Sequence, residues 1–71
     1  MNEFLDKIAA VLEEPVRPET RFRELPDWSS LKAFGVLVTL ENDFGRPMTI
    51  DEFRQLNTVA DLARAAGVAQ L

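Results

Sequence analysis

The sequence contains no cysteine and no histidine among its 71 residues. Without cysteine the chain can form no disulfide and has no thiol nucleophile. Because both residue types are missing, a zinc site of the Cys/His type and an imidazole base are excluded as well. Any catalysis would have to use carboxylates, lysine or hydroxyl groups alone. The composition therefore argues against an enzyme, and no metal site is predicted.

Basic residues are also scarce. The chain has 8 Lys and Arg and 12 Asp and Glu, which gives a formal net charge of −4. A nucleic-acid-binding domain needs a concentrated basic surface, whereas these basic residues are scattered along the chain. The sequence therefore predicts no nucleic-acid partner.

Long apolar stretches are missing too. No apolar run approaches the roughly 20 residues that a membrane-spanning helix requires, so no membrane span is predicted. The first seven residues, MNEFLDK, include acids and lack the basic flank and apolar segment of a secretory signal peptide. We therefore expect a cytoplasmic location.

The chain is short enough for one domain only, which we place at residues 1–71. A domain of this size buries only about 60% of its unfolded surface, which leaves no room for a deep substrate cavity. An acidic single domain has no evident need to self-associate, so a monomer is expected.

Helical periodicity is present along most of the sequence. A first helix, with Asn2 as its expected N-cap, should end by Glu14 because Pro15 follows. Its apolar positions have the i, i+3, i+4, i+7 spacing of an amphipathic helix: Leu5, Ile8, Ala9 and Leu12.

Three further helices are predicted from start and stop signals. The second should begin within residues 27–30 and run to about Asp43, with Gly45 as its cap. Thr49 followed by Glu52 has the capping-box form that begins a short third helix. Thr58 followed by Asp61 is a similar box, with Asp in place of Glu, and begins the last helix.

The fold class predicted from this order is all-α, a small bundle of three main helices and one short one. No segment alternates with the period of two that is typical of strands. The connection between the first two helices, residues 15–28, is long and contains three prolines. We expect it to lie over the core, held there by Val16, Phe22 and Leu25, and a loop of this length often has a function.

The second helix has two apolar stripes rather than one. At about 100° per residue, the first stripe is the expected core-facing side: Ala33, Val36, Leu37, Leu40 and Phe44. The second stripe, which we call the apolar strip, consists of Leu31, Phe34 and Val38. Either the long loop covers the strip with Phe22 and Leu25, or the strip is exposed for partners and bordered by Glu41 and Asp43.

The motifs around the second helix and after it resemble those of a known family. Singly each is weak, but their joint spacing is fairly specific, and the similarity covers roughly residues 4–66. In these features the chain resembles the acyl carrier protein family, most of all members with Trp-Asp-Ser-Leu at their attachment site. The motifs are Trp28-Ser29-Ser30-Leu31, Leu40-Glu41, Phe44-Gly45 and Thr58-Val59-Ala60-Asp61-Leu62.

This resemblance implies a four-helix carrier with no catalytic activity. In the family, the serine before the leucine is esterified by 4′-phosphopantetheine, whose thiol holds acyl groups as thioesters; the matching residue here is Ser30. The implied partners are a phosphopantetheinyl transferase and the enzymes that load and transfer acyl groups. The family presents apolar residues one, four and eight positions after the serine to these partners, which matches Leu31, Phe34 and Val38.

The chain also departs from the family pattern. Ser29 replaces the aspartate that precedes the attachment serine, and Lys32 and Gly35 lie where fatty-acid carriers are acidic. These differences favour a specialised lipid, polyketide or cell-surface pathway over the housekeeping role in fatty acid biosynthesis. They leave open a second function, an unmodified carrier-like interaction module that docks partners through the second helix. In that case Ser29 and Ser30 would be ordinary residues of the helix N-terminus.

Overall fold

The computed structural model describes residues 3–68 as four α-helices joined by loops. These are α1 (Glu3–Leu12), α2 (Ser30–Phe44), α3 (Ile50–Arg54) and α4 (Val59–Ala65). A short 3₁₀ helix, Phe22–Glu24, lies in the connection between α1 and α2. Residues 3–68 form no strand. The all-α prediction is confirmed, while the expected N-cap Asn2 lies outside the described residues.

The C-terminal end of α1 is closed without a glycine. Glu13 adopts a left-handed conformation with φ of 62°, and the N–H of Glu14 donates to Ala9 O at 3.2 Å. This is the hydrogen bond of a Schellman motif, which normally uses glycine at the left-handed position. The helix therefore ends at Leu12, before Pro15 could stop it.

The caps predicted for the other helices are confirmed. Gly45 is left-handed, with φ of 66°, and its N–H donates to the last turn of α2. Thr49 and Thr58 each accept a hydrogen bond from the backbone N–H three residues later, and the side chains of Glu52 and Asp61 reciprocate. Asp61 therefore completes a capping box although its side chain is shorter than that of the usual Glu.

The core lies where α1, the 3₁₀ helix and α2 to α4 meet. Within it α1 and α2 approach closely at Gly35, where an added Cβ would lie 2.9 Å from Val11 Cγ1. The absence of a side chain at Gly35 therefore sets how near the two helices can pack. The buried residues are Phe4, Ile8, Leu12, Phe22, Val36, Leu40, Phe53, Val59, Leu62, Ala63 and Ala66.

The long connection is joined to the start of α4 by backbone hydrogen bonds. The N–H of Val59 donates to Thr20 O at 3.0 Å, and that of Ala60 donates to Pro18 O at 2.8 Å. These two N–H groups belong to the first turn of α4, where backbone N–H groups have no acceptor within the helix. The loop thus caps α4 while holding Phe22 in the core. No helix within residues 3–68 is both long and apolar enough to span a membrane.

Candidate functional site

The two serines at the start of α2 differ in what their hydroxyls do. Ser29 is the N-cap, with φ of −152° and ψ of 169°, and its Oγ accepts from the Lys32 N–H at 3.3 Å. Ser30 is the first residue of the helix and is exposed. Within residues 3–68 its hydroxyl has no hydrogen-bond partner. Of the two serines, Ser30 is therefore the one whose side-chain oxygen is exposed and not hydrogen-bonded within that range.

The apolar strip is not covered by the loop. Leu31 and Phe34 are 79% and 65% exposed, and Val38 is half-buried. Phe22, which was one of the two expected covers, is fully buried in the core instead. Leu25 also packs against the core. The loop-cover interpretation of the strip is therefore wrong, and the strip is a solvent-exposed apolar surface one turn from Ser30.

The two acidic residues expected beside the strip lie on different sides of α2. Glu41 is exposed and, three residues after Val38, shares the side of the helix that carries the strip. Asp43 forms an ion pair with Lys7 of α1, and the distance between Lys7 Nζ and Asp43 Oδ2 is 3.7 Å. Residues two apart on a helix point to nearly opposite sides. The expectation that Asp43 borders the strip is therefore corrected.

Lys32 directs its charge toward α1. Its Nζ donates to Leu12 O at 3.0 Å and lies 3.8 Å from Glu13 Oε1, with its side chain 16% exposed. A cation is favoured at the C-terminal end of a helix, where the carbonyl groups lack partners. The lysine that departs from the family's acidic pattern therefore stabilises the α1 terminus.

Trp28 anchors the loop to the bundle beside Ser29. Its ring centroid lies 5.3 Å from that of the buried Phe22. It also stacks on Phe53 with a centroid distance of 6.4 Å and an interplanar angle of 18°. Phe22 and Phe53 are themselves 5.6 Å apart. We call these three side chains the ring cluster.

The sequence analysis assigns no role to Arg23, one of three arginines in the long loop. Its guanidinium donates to Phe53 O at 2.6 Å and to Leu56 O. The same group lies 4.9 Å and 5.0 Å from the ring centroids of Phe22 and Phe53. No sequence signal separates Arg23 from the exposed Arg21, because the difference is made by where α3 lies.

The start of α2 suits a covalently attached phosphodiester. The first N–H groups of the helix have no intrahelical acceptor, and the positive end of the helix dipole favours an anion there. Ser30 is exposed, so the fold leaves room for a pendant group on its oxygen. No histidine is present, so the chain has no imidazole base that could activate this hydroxyl. Within residues 3–68 no acidic cluster could hold a metal ion.

Comparison with known proteins identifies the family. The model of the family described as phosphopantetheine attachment site matches residues 2–66. Searches of curated proteins and of solved structures give no significant match. The family carries covalently attached 4′-phosphopantetheine, and its domains are carriers that interact with a phosphopantetheinyl transferase and with acyl-handling enzymes. The chain therefore belongs to the phosphopantetheine attachment site family and is a carrier domain of the acyl carrier protein type, not an enzyme.

Proposed function

We propose that Ser30 is the attachment residue and that the chain holds acyl intermediates as thioesters on the arm. The observation that carries this proposal is the exposed hydroxyl of Ser30, which has no hydrogen-bond partner among residues 3–68, beside the hydrogen-bonded hydroxyl of Ser29. A thiol suited to thioester chemistry, which the chain itself lacks, would come with the cofactor.

In the proposed attachment, coenzyme A donates its phosphopantetheine group to Ser30. A bond forms between Ser30 Oγ and the phosphorus next to pantetheine. The pyrophosphate bond of coenzyme A breaks, adenosine 3′,5′-bisphosphate leaves, and the hydroxyl proton passes to the transferase. The free N–H groups of Ser30 and Leu31 then lie next to the new phosphodiester anion, where a helix N-terminus favours negative charge.

Ser29 supports the helix without supplying the family's carboxylate. As the N-cap it satisfies the Lys32 N–H, a function that Asp and Ser perform about equally well. The replacement therefore preserves the start of α2 and removes one negative charge next to Ser30. We infer that a transferase which acts on this chain does not require that charge.

We further propose that partner enzymes dock on the apolar strip. Leu31 and Phe34 are largely exposed, and Glu41 is the acid on the same side of α2. Asp43 is left out of this proposed surface because it pairs with Lys7. With one acid beside the strip, long-range steering by charge is weak, and apolar burial should supply most of the binding free energy.

This modest acidity is what supports a specialised pathway. A housekeeping fatty-acid carrier relies on an acidic second helix, whereas Lys32 and Gly35 here serve the packing of α2 on α1. We therefore propose a dedicated pathway for a lipid, a polyketide or a cell-surface component, in the cytoplasm, with a small set of matched partners.

The test is phosphopantetheine transfer followed by intact mass measurement. We expect the chain to gain one phosphopantetheine unit from coenzyme A and a broad-specificity transferase. Ser30→Ala should abolish the gain, and Ser29→Ala should retain it. Ser29→Asp, which keeps the cap and restores the family's charge, should be labelled at least as fast as the unmodified sequence.

Two outcomes would contradict the proposal. Loss of labelling in Ser29→Ala but not in Ser30→Ala would assign the arm to Ser29. No gain with several transferases, for either the natural sequence or Ser29→Asp, would favour the unmodified interaction module. A circular dichroism spectrum of each variant controls for loss of α2.

A further inference from the structure

Three aromatic rings pack together at Trp28, two residues before Ser30 in the chain. Trp28 immediately precedes the N-cap Ser29, and its ring contacts Phe22 and Phe53, which are 0% and 4% exposed. Centroid distances of 5.3, 5.6 and 6.4 Å within the ring cluster are those of aromatic side chains in direct contact. A hydrocarbon chain has no space between rings at these separations.

Arg23 holds the ring cluster in place from one side. Its guanidinium lies over the rings of Phe22 and Phe53 and donates to the carbonyl groups of Phe53 and Leu56. To let a chain pass, Phe22 and Trp28 would have to separate from Phe53 on α3. That movement would break the two charge-assisted hydrogen bonds of Arg23 and its cation–π contact with the Phe53 ring.

We infer that the ring cluster closes the interior to the acyl group, which therefore stays outside the bundle. This inference rests on the proposed attachment at Ser30. The cost of leaving an acyl group in water grows with each methylene. A carrier that does not bury its acyl group suits a short or polar acyl group, or one that a partner enzyme shields from water.

A groove near the C-terminal end of α2 is poorly placed and poorly lined for a hydrocarbon. This groove of about 300 Å³ includes residues that follow the C-terminal end of α2, roughly 21 Å along the helix axis from Ser30. Charged groups at Arg46 and Glu52 would lose hydration if a hydrocarbon covered them. Its lining is Arg46, Pro47, Met48, Glu52, Leu56 and Ala65.

A chain-length comparison on the loaded protein tests the inference. Transfer from acetyl-coenzyme A and from octanoyl-coenzyme A gives two forms that differ only in the acyl group. We expect their melting temperatures to agree within about 2 °C and Trp28 fluorescence to be the same in both. An octanoyl form that melts more than about 4 °C higher would overturn the inference, since burial of the chain stabilises the folded state.

Opening the ring cluster should reverse this result. Phe53→Ala removes one ring, and Phe53→Leu is the milder change if the first does not fold. In either variant we expect the octanoyl form to melt about 4 °C or more above the acetyl form. The matched control, Ile50→Ala, removes an exposed apolar side chain of α3 and should show no dependence on chain length. Equal melting temperatures in both Phe53 variants would also overturn the inference, because the rings would not be the barrier.

A second route to the same comparison does not depend on a transferase. The chain has no cysteine, so Ser30→Cys provides one thiol that methyl or octyl methanethiosulfonate converts to a mixed disulfide. We again expect equal melting temperatures for the short and long groups, and a higher one for the octyl form would overturn the inference. Failure of enzymatic labelling thus refutes attachment at Ser30, whereas the cysteine series alone decides whether the interior admits a chain.

Discussion

At the residue scale, two arginines that lie two positions apart in the long loop have different environments. Arg21 is exposed, and its guanidinium lies 3.7 Å from Glu24 in a surface ion pair. Arg23 is half-buried and joins the 3₁₀ helix to α3 through two carbonyl groups and two rings. Chemically identical side chains thus have different roles because only one of them is near α3.

We expect Arg23→Ala to lower the free energy of unfolding by about 2 kcal/mol, through lost charge-assisted hydrogen bonds and cation–π contacts. Arg21→Ala, the matched control, should change it by less than about 0.5 kcal/mol, as exposed ion pairs contribute little. Arg23→Lys should be intermediate, since one ammonium does not reproduce the planar fork. Urea unfolding monitored by Trp28 fluorescence measures all three, and equal effects of the two alanine variants would contradict the assignment.

At the element scale, helix ends are satisfied by hydrogen bonds both from residues close in the chain and from the long loop. α4 shows this best, because its first turn is satisfied by Thr58 and by loop carbonyl groups. The carboxylate of Asp61 accepts from the N–H groups of Asn57 and Thr58 at 2.9 and 3.0 Å. These two bonds lower the pKa of Asp61, and Arg64 lowers it further.

The lowered pKa of Asp61 makes part of the stability dependent on pH. The folded protein keeps this carboxyl ionised at a pH where the unfolded chain has begun to protonate it. The stabilisation is therefore complete above about pH 4 to 5 and is lost as pH falls through the folded-state pKa. We expect the melting temperature of the natural sequence to exceed that of Asp61→Asn most at pH 6.

The comparison should be made by thermal unfolding from about pH 6 down to about pH 3. The difference between the natural sequence and Asp61→Asn should shrink as the pH falls. A difference that stays constant over this range would show that the ionised form of Asp61 is not what stabilises α4.

At the scale of the whole molecule, α2 has both a buried and an exposed apolar side. Val36 and Leu40 are fully buried, while Gly35 admits Val11 of α1. Leu31 and Phe34 remain in solvent beside the exposed Ser30. One helix therefore contributes to the core and also carries the proposed attachment residue and docking surface.

Phe34→Ala should separate these two roles of α2. Because Phe34 is 65% exposed, we expect its loss to shift the melting temperature by less than about 2 °C. It should raise the KM of the transferase for this protein by about fivefold or more, as loss of an apolar contact residue does. The control, Phe22→Leu, changes a fully buried ring and should lower the melting temperature by about 4 to 8 °C. A similar loss of stability in Phe34→Ala would show that this ring packs on the bundle.

Some of what the structure shows was already accessible from local sequence patterns. The capping boxes at Thr49 and Thr58 and the left-handed Gly45 depend on residues close in the chain, so they could be predicted. The position of Asp43 could also have been found, since two helical steps from Glu41 carry it to the far side of α2. The directions of Arg23 and Lys32 were out of reach, because their acceptors lie 20 or more residues away.

The amino-acid sequence by itself determined the four helices, most of their ends and the serine at the start of α2, because periodicity and caps act over a few residues. Only the tertiary structure decided which apolar side chains of α2 stay in solvent and which rings pack beneath Trp28. It also decided that Lys32 serves α1 and Arg23 serves α3. Those outcomes depend on how the helices are placed against one another, and helix placement is set by packing across the whole core rather than by neighbours in the chain.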